Sequence, residues 1–250
     1  PDSIDGFGNA PVSMRYEDVA QDGRVLVESL ATSVNECLWR VALRGHALET
    51  HAFVRGTLAI LSRFVVEGHD GPFHVDGPFE AESRFVIAHG TDANGDVARI
   101  YLNAWVDTYA PIGRTNFPAP VNAGTRALVG RAFAEHVFTR PFEKADARKV
   151  TRLGLPGHPE VPPHHYAPRP IDALLSPPPG ATVIDDALVL DAVPIAFGLR
   201  HTDSNQHVNS LVYPQLFEDA ALRRFAALGL GTERLARSLE IGYRKPCFAG

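Results

Sequence analysis

The stretch HTDSNQHVNS, residues 201–210, concentrates hydrogen-bonding side chains at one point of the chain. Asp203 offers a carboxylate that could act as a general base, Asn205 an amide, and His207 an imidazole that could relay a proton. If the segment is extended, alternate side chains point the same way, so these three would share one face. A helix-like run follows, and its free N–H groups and positive dipole end favour negative charge here.

Simpler explanations exist for the same residues. An Asp, Ser or Asn before a helix is usually a cap or a turn residue, and this stays an open alternative for Asp203. For Asn209, directly before the apolar helix pattern, capping is the preferred interpretation. Glu218 and Asp219 on the helix could supply a base, although a solvated helix face is the preferred explanation for both.

Composition excludes several classes of protein. The 250 residues are 45% apolar with a formal net charge of −5, whereas nucleic-acid-binding proteins are more often basic. The sequence contains no run of about 18 apolar residues, so no membrane-spanning helix is predicted. The first residues resemble neither a signal peptide nor a transit peptide. Cys37 and Cys247 can form neither a disulfide framework nor a zinc-ligand pattern. We therefore expect a cytoplasmic protein without a metal site.

The first part of the chain predicts a short strand, a long helix and an antiparallel meander. The short strand is expected at the start of VSMRYEDVAQDGR, residues 12–24, and apolar spacing predicts a helix over 25–43. Asn94-Gly95 is a strong hairpin signal. Residues 114–152 fit either helix or strand. Three β-rich runs lie at 53–68, 78–90 and 97–113.

A proline-rich connector follows, and then a shorter copy of the same pattern. Residues 154–180 cannot form a regular helix or a central strand. The pattern after it predicts a strand, a helix and a strand at 187–200, 210–230 and 235–245. Because this copy has few strands, either the protein continues further or the first half supplies the remaining sheet. The predicted boundaries are an N-terminal domain at 1–152, the connector at 153–182 and a C-terminal domain at 183–250.

Three segments resemble the acyl-ACP thioesterases of plants and bacteria. DSNQHVNS with VYPQLFEDA resembles the family signature Asp-x-Asn-Gln-His-Val-Asn, LEIGYRKPC resembles the strand after it, and MRYEDVAQDGR resembles the opening of hotdog thioesterases. The resemblance implies an α+β tandem hotdog fold, in which each half is a long central helix wrapped by an antiparallel β-sheet. It implies hydrolysis of a fatty acyl thioester of acyl carrier protein or coenzyme A, in lipid metabolism.

By this resemblance Asp203, Asn205 and His207 take the catalytic positions, with Cys247 and Asn209 as supporting residues. The family has an acid before the Cys, where this chain has Pro246. A non-catalytic acyl-thioester-binding protein is therefore the alternative, and a hotdog dehydratase ranks last. No cofactor is required, and a homodimer is a candidate assembly. A basic surface could receive the acidic carrier or its phosphates; its candidate residues are Arg223, Arg224, Arg244 and Lys245.

Overall fold

The computed structural model describes residues 4–116, 118–184, 190–203, 206–245 and 247–249. The chain forms two compact units, one of residues 1–168 with 237–241 and one of residues 169–236 with 242–250. This division does not coincide with the boundaries expected at 152 and 183, because the start of the connector and a late strand belong to the first unit. No helix among the described residues combines the length and apolarity that a bilayer crossing needs.

A seven-stranded sheet dominates the first unit. Six strands run in the order β1-β3-β4-β5-β2-β7, and the short β6 pairs in parallel with β3. The strands are β1 Gly6–Val12, β2 Leu58–Gly68, β3 Phe79–Thr91, β4 Val97–Pro111, β5 Arg126–Thr139, β6 His164–His165 and β7 Ser238–Gly242. The three predicted β-rich runs are confirmed as β2, β3 and β4, and the open segment 114–152 contains strand β5.

The β3–β4 hairpin turns at Asn94-Gly95, as the sequence predicts. Gly95 has a φ of 86°, in the left-handed region that glycine enters at little cost. The Asp92 carboxylate accepts hydrogen bonds from the backbone N–H groups of Asn94 at 2.9 Å and Asp96 at 3.1 Å. Side-chain and backbone chemistry in this turn therefore fix the register of β3 and β4.

Helix α1, residues 27–42, packs on the sheet, and a shorter helical segment, Leu48–Phe53, follows it. Helix α1 starts as a 3₁₀ turn, Val27–Leu30, continues through Ala31–Ser33, and widens to π-type turns over Val34–Ala42. The thiol of Cys37 is fully buried and donates to the carbonyl of Ala81 in β3 at 3.2 Å. The helix predicted over 25–43 is confirmed, and burial of its apolar face forms the core of the unit.

The opening strand lies earlier than predicted. β1 ends at Val12, and residues Tyr16–Asp18 form a 3₁₀ turn instead. The buried Asp18 carboxylate accepts from the Arg15 side chain at 2.8 Å and from the Ser29 hydroxyl at 2.8 Å. These charge-assisted bonds hold the segment in a turn, which an isolated apolar pattern does not reveal.

The first part of the connector, up to residue 168, belongs to the first unit and contacts the sheet. The Tyr166 hydroxyl donates to the buried Glu135 carboxylate at 2.5 Å, and the Ser62 hydroxyl donates to the same carboxylate at 2.7 Å. His164–His165 pairs with Ala88 and His89 at the sheet edge, and the 3₁₀ turn Ile171–Leu175 follows. The prediction of a connector without a regular helix or a central strand is confirmed over its described residues.

Strand β7 joins the sheet beside β2, so the first half does supply sheet to the late segment. The Gly68 N–H donates to the Arg237 carbonyl at 2.9 Å, and the Arg63 guanidinium pairs with Glu240 at 2.6 Å. Among the described residues a helix packed on its own sheet is therefore found once, in the first unit. The tandem arrangement stays a prediction.

Helix α2, Val212–Ala227, is the long helix of the second unit and confirms the helix predicted over 210–230. The strand predicted over 187–200 is wrong across its described part, where no strand forms and Leu199–His201 is a 3₁₀ turn. Asp191 accepts from the N–H of Val193 at 2.9 Å, which starts a turn, and Pro194 has no N–H for a ladder. Residues 187–189 of that prediction lie outside the described residues.

Candidate active site

The described residues of the polar stretch, 201–203 and 206–210, lie between the start of the 3₁₀ turn Leu199–His201 and helix α2. Thr202 and Val208 form an antiparallel bridge, and the Asp203 N–H donates to the His207 carbonyl at 3.1 Å. Gln206 has a φ of 68° and donates its N–H to the Asp203 carbonyl at 3.0 Å. The extended conformation considered from the sequence is therefore wrong, because the backbone reverses within the motif.

This reversal brings two of the predicted catalytic side chains together. His207 Nδ1 lies 3.7 Å from Asp203 Oδ1, a separation longer than a direct hydrogen bond. The side chains are 37% and 23% exposed respectively, so solvent reaches both. The two side chains are close because a turn brings residues four positions apart together. They do not meet as alternate residues on one face of a strand. Asn205, the third predicted catalytic residue, lies outside the described residues.

Asn209 is not the N-cap of α2, because that position is Leu211 and it has no side-chain cap, but Asn209 forms a hydrogen-bonded turn directly before the helix. Its side-chain oxygen accepts from the Leu211 N–H at 2.8 Å, and its carbonyl accepts from the Val212 N–H at 3.0 Å. Two of the N–H groups at the start of α2 are thus already satisfied within the chain. The expectation that the helix start offers these particular donors to a reacting oxyanion is corrected accordingly.

The segment after β7 anchors the motif. The buried Val208 donates its N–H to the Cys247 carbonyl at 2.8 Å. The hydroxyl of Tyr213, in the first turn of α2, contacts the Cys247 thiol. Burial, together with this contact, raises the pKa of Tyr213 to about 12, so the phenol stays neutral at physiological pH. The Tyr213 hydroxyl beside the Cys247 thiol is therefore neutral.

Two tyrosines at this site were not identified from the sequence. The ring of Tyr243 lies 6.1 Å from that of Tyr213, and its hydroxyl donates to the Ser210 carbonyl at 3.1 Å. Burial raises the pKa of Tyr243 to about 12, and the neighbouring Tyr213 acts in the same direction. Both tyrosines occur inside the two segments that carry the family resemblance, VYPQLFEDA and LEIGYRKPC, which is the signal that could have found them.

The two helix carboxylates differ in their surroundings. Asp219 is exposed, as a solvated helix face predicts, whereas Glu218 is half-buried and its Oε1 atom is fully enclosed. The solvated interpretation is therefore wrong for Glu218. An i,i+1 pair on a helix projects in different directions, so only one of the two can turn inward.

The predicted basic surface is partly neutralised. The Arg223 guanidinium forms an ion pair with Asp191, an acidic residue far from it in sequence. Arg244 and Lys245 are exposed and Arg224 is half-buried. Binding of a carrier at these four residues stays a prediction, in which Arg244 and Lys245 are the accessible members.

Comparison with solved structures identifies the fold. The chain is similar to an acyl-ACP thioesterase from Bacteroides thetaiotaomicron, with 14% identity, a TM-score of 0.53, and coverage of 98% of this chain and 83% of that chain. The chain is also similar to a protein from Lactobacillus plantarum that is assigned as an oleoyl thioesterase, with 13% identity, a TM-score of 0.56, and coverage of 98% of this chain and 80% of that chain. For the 12:0-ACP thioesterase from Umbellularia californica, the identity is 15%, the TM-score is 0.55, and the alignment covers 97% of this chain and 79% of that chain.

No family model and no curated protein matches the sequence. The structural likeness extends over nearly the whole chain, although so few residues are identical. The α+β hotdog fold that the sequence resemblance implied is therefore the fold of this chain.

Proposed function

We propose that this chain hydrolyses a fatty acyl thioester, carried by acyl carrier protein or coenzyme A, to a free fatty acid and a thiol. The observation that carries the proposal is the Asp203–His207 pair, held 3.7 Å apart in the turn before α2. The same turn carries the thioesterase-like motif, in a chain whose fold is that of the solved thioesterases. Fold alone would not assign an activity, so the site residues bear the argument.

The chemistry requires one activated water and one proton returned to sulfur. Asp203 removes a proton from water, whose oxygen bonds to the thioester carbonyl carbon while the carbonyl electron pair moves to oxygen. When that pair returns, the C–S bond breaks and the thiolate leaves. His207, next to Asp203, accepts from it the proton that came from the water and delivers that proton to the sulfur, so both side chains return to their starting protonation states. Asn205, by resemblance, orients the water or the carbonyl oxygen.

Cys247 has a supporting function in this scheme. A cysteine nucleophile needs a neighbouring cation, a helix N-terminus or a paired histidine to stabilise its thiolate. The group that the Cys247 thiol contacts is instead the neutral phenol of Tyr213. His207 faces Asp203, which suits the water-based route.

A direct test uses acyl-coenzyme A substrates of graded chain length with a thiol-detecting reagent. We expect thiol release by the wild type and its near loss in Asp203→Asn. If the protein binds the acyl thioesters but releases no thiol, the non-catalytic alternative is correct. That alternative has one specific point in its favour, the proline at position 246 where the family has an acid.

A further inference from the structure

The turn that carries Asp203 and His207 has a counterpart in the first unit, directly before helix α1. Each of the two turns begins with three residues in a 3₁₀ conformation, and an isolated antiparallel bridge follows at once. The first turn has Tyr16–Asp18 and the bridge of Val19 with Val25, and the second has Leu199–His201 and the bridge of Thr202 with Val208. Two segments of this chain therefore share one local fold.

Four backbone hydrogen bonds recur in both turns. In the first turn the N–H groups donate to carbonyls in the pairs Asp18 to Arg15, Ala20 to Arg24, Gly23 to Ala20 and Leu26 to Asp18. In the second turn the pairs are His201 to Gly198, Asp203 to His207, Gln206 to Asp203 and Asn209 to His201. One constant shift along the chain relates all four pairs, and it also matches the two residues with positive φ, Gly23 at 88° and Gln206 at 68°. Apart from Val25 and Val208, the residues aligned in this way differ, so the sequence does not reveal the correspondence.

Asp18 and His201 occupy the same position in the two turns and make the same hydrogen bonds. The carboxylate of Asp18 accepts from the Arg15 N–H at 2.7 Å, and Nδ1 of His201 accepts from the Gly198 N–H at 3.0 Å. Their carbonyls accept from the last N–H group of each turn, at 2.9 Å in both. One residue therefore joins the beginning of the turn to its end. Because a carboxylate and an imidazole both fill this position, what the position requires is a hydrogen-bond acceptor.

The two turns differ in the residues that could do chemistry. At the positions of Asp203 and His207, the first turn has Ala20 and Arg24. Arg24 forms an ion pair with Asp22, at 2.7 Å. The turn therefore forms without an Asp–His pair, and its shape comes from the hydrogen bonds that both copies share. In the second turn these bonds set the distance of 3.7 Å between His207 Nδ1 and Asp203 Oδ1.

We propose that His201 is a positioning residue for thioester hydrolysis. Its neutral imidazole accepts the Gly198 N–H and so holds the turn in which Asp203 and His207 face each other. The proposal rests on the function proposed above, because it assigns His201 an effect on that reaction without contact to the substrate. An imidazole nitrogen accepts a hydrogen bond only while it carries no proton, so the proton of this ring lies on Nε2. A displacement of reacting groups by about 1 Å can cost about 10²-fold in rate, which sets the scale of the expected effect.

Two variants separate the acceptor atom of His201 from its ring, which meets the ring of Phe197 edge to face at 6.0 Å. His201→Asn keeps an acceptor the same number of bonds from the backbone but has no ring, whereas His201→Phe keeps a ring without an acceptor. With acyl-coenzyme A, we expect His201→Asn to keep kcat within about threefold of the wild type and His201→Phe to lower it about tenfold to 10²-fold, with KM for both within about twofold. Each kcat is normalised to the folded fraction seen by circular dichroism. Equal kcat values for the two variants, or the opposite order, would overturn the proposal.

Amide hydrogen exchange of the intact chain tests the same hydrogen bond without turnover. Residues 198–209 should exchange about tenfold faster in His201→Phe than in the wild type, and at the wild-type rate in His201→Asn. Residues 15–26 are the internal control, because Asp18 closes that turn in every variant. If the wild type hydrolyses no acyl thioester, the thioesterase function fails while the exchange rates still decide whether His201 holds its turn. If the wild type hydrolyses the substrate and both variants exchange at the same rate, the positioning role fails and the function stands.

Discussion

The imidazole of His136 meets the indole of Trp39 edge to face, with ring centroids 5.2 Å apart, where helix α1 covers strand β5. His136 is 4% exposed, and among the described residues its Nδ1 atom has no hydrogen-bond partner. Burial lowers the pKa of His136 to about 4, only partly opposed by the nearby carbonyls of Leu102 and Ala134. The core of the first unit thus contains a histidine that stays neutral.

This burial predicts an acid-sensitive stability of the first unit. Below the ordinary pKa of 6.5, the unfolded chain takes up a proton at His136 that the folded chain refuses until about pH 4. Stability should therefore fall as pH falls through this window, by about 2 kcal/mol between about pH 7 and about pH 5. Urea unfolding at both pH values measures the loss. The difference should shrink by about that amount in His136→Leu, and an unchanged difference would contradict the assignment.

The Tyr166–Glu135 hydrogen bond predicts how strongly the connector is held. Tyr166→Phe removes a donor from a buried carboxylate, at a cost of about 2 kcal/mol in the free energy of unfolding. Tyr16→Phe is the matched control, because the Tyr16 side chain is 70% exposed. The measurement is the midpoint of denaturant unfolding, which should be lower for Tyr166→Phe than for Tyr16→Phe. Equal midpoints would mean that this bond does not hold the connector.

Asp203→Asn tests the proposed base with little change in shape. We expect kcat to fall about 10³-fold, which corresponds to about 4 kcal/mol of transition-state stabilisation. Asp219→Asn, on the exposed face of α2, should retain wild-type kcat. Circular dichroism confirms that both variants fold. A folded Asp203→Asn protein with near wild-type turnover would remove Asp203 from the mechanism.

Cys247 should not be required for turnover. Its thiol contacts a neutral tyrosine, so we expect Cys247→Ala to retain most activity and iodoacetamide to inactivate the wild type slowly. The measurement is residual activity against incubation time, with and without substrate. Rapid inactivation that substrate prevents, and that Cys247→Ala abolishes, would instead make Cys247 the nucleophile.

Carrier recognition at the predicted basic surface should depend on its accessible members. Arg244→Gln with Lys245→Gln should raise KM for acyl-acyl carrier protein and weaken its dependence on salt, while kcat is unchanged. Arg223→Gln should have a smaller effect, since Asp191 already neutralises that arginine. A KM that is the same in all variants across salt concentrations would exclude this surface.

Local signals explain which elements the sequence could predict. Asn94-Gly95 predicts the β3–β4 hairpin because a short-range turn needs few contacts to form. Helix α1 follows from the spacing of apolar side chains that the core then buries. In contrast, the segment that forms β5 was ambiguous, because the spacing of its apolar residues fits both a helix and a strand. Pairing with the neighbouring strands determines that it is a strand.

The geometry of the site could not be predicted from any short segment of the sequence. The reversal at 203–207 depends on Gln206 adopting a left-handed φ of 68°, which few residues other than glycine do. The contact of Tyr213 with Cys247 joins positions far apart in the chain and depends on tertiary packing. The motif could therefore indicate which residues matter, and the fold was required to show how Asp203 and His207 meet.

The pairing of β7 with β2 has a consequence for synthesis on the ribosome. β2 and its partner β5 emerge early, but the strand that completes the outer side of β2 emerges only after residues 169–236 have been translated. During that interval β2 is an open sheet edge with unpaired backbone groups, a known template for aggregation. Slow translation of the intervening segment would prolong this exposure, and a chaperone that covers strand edges would be needed most at that stage.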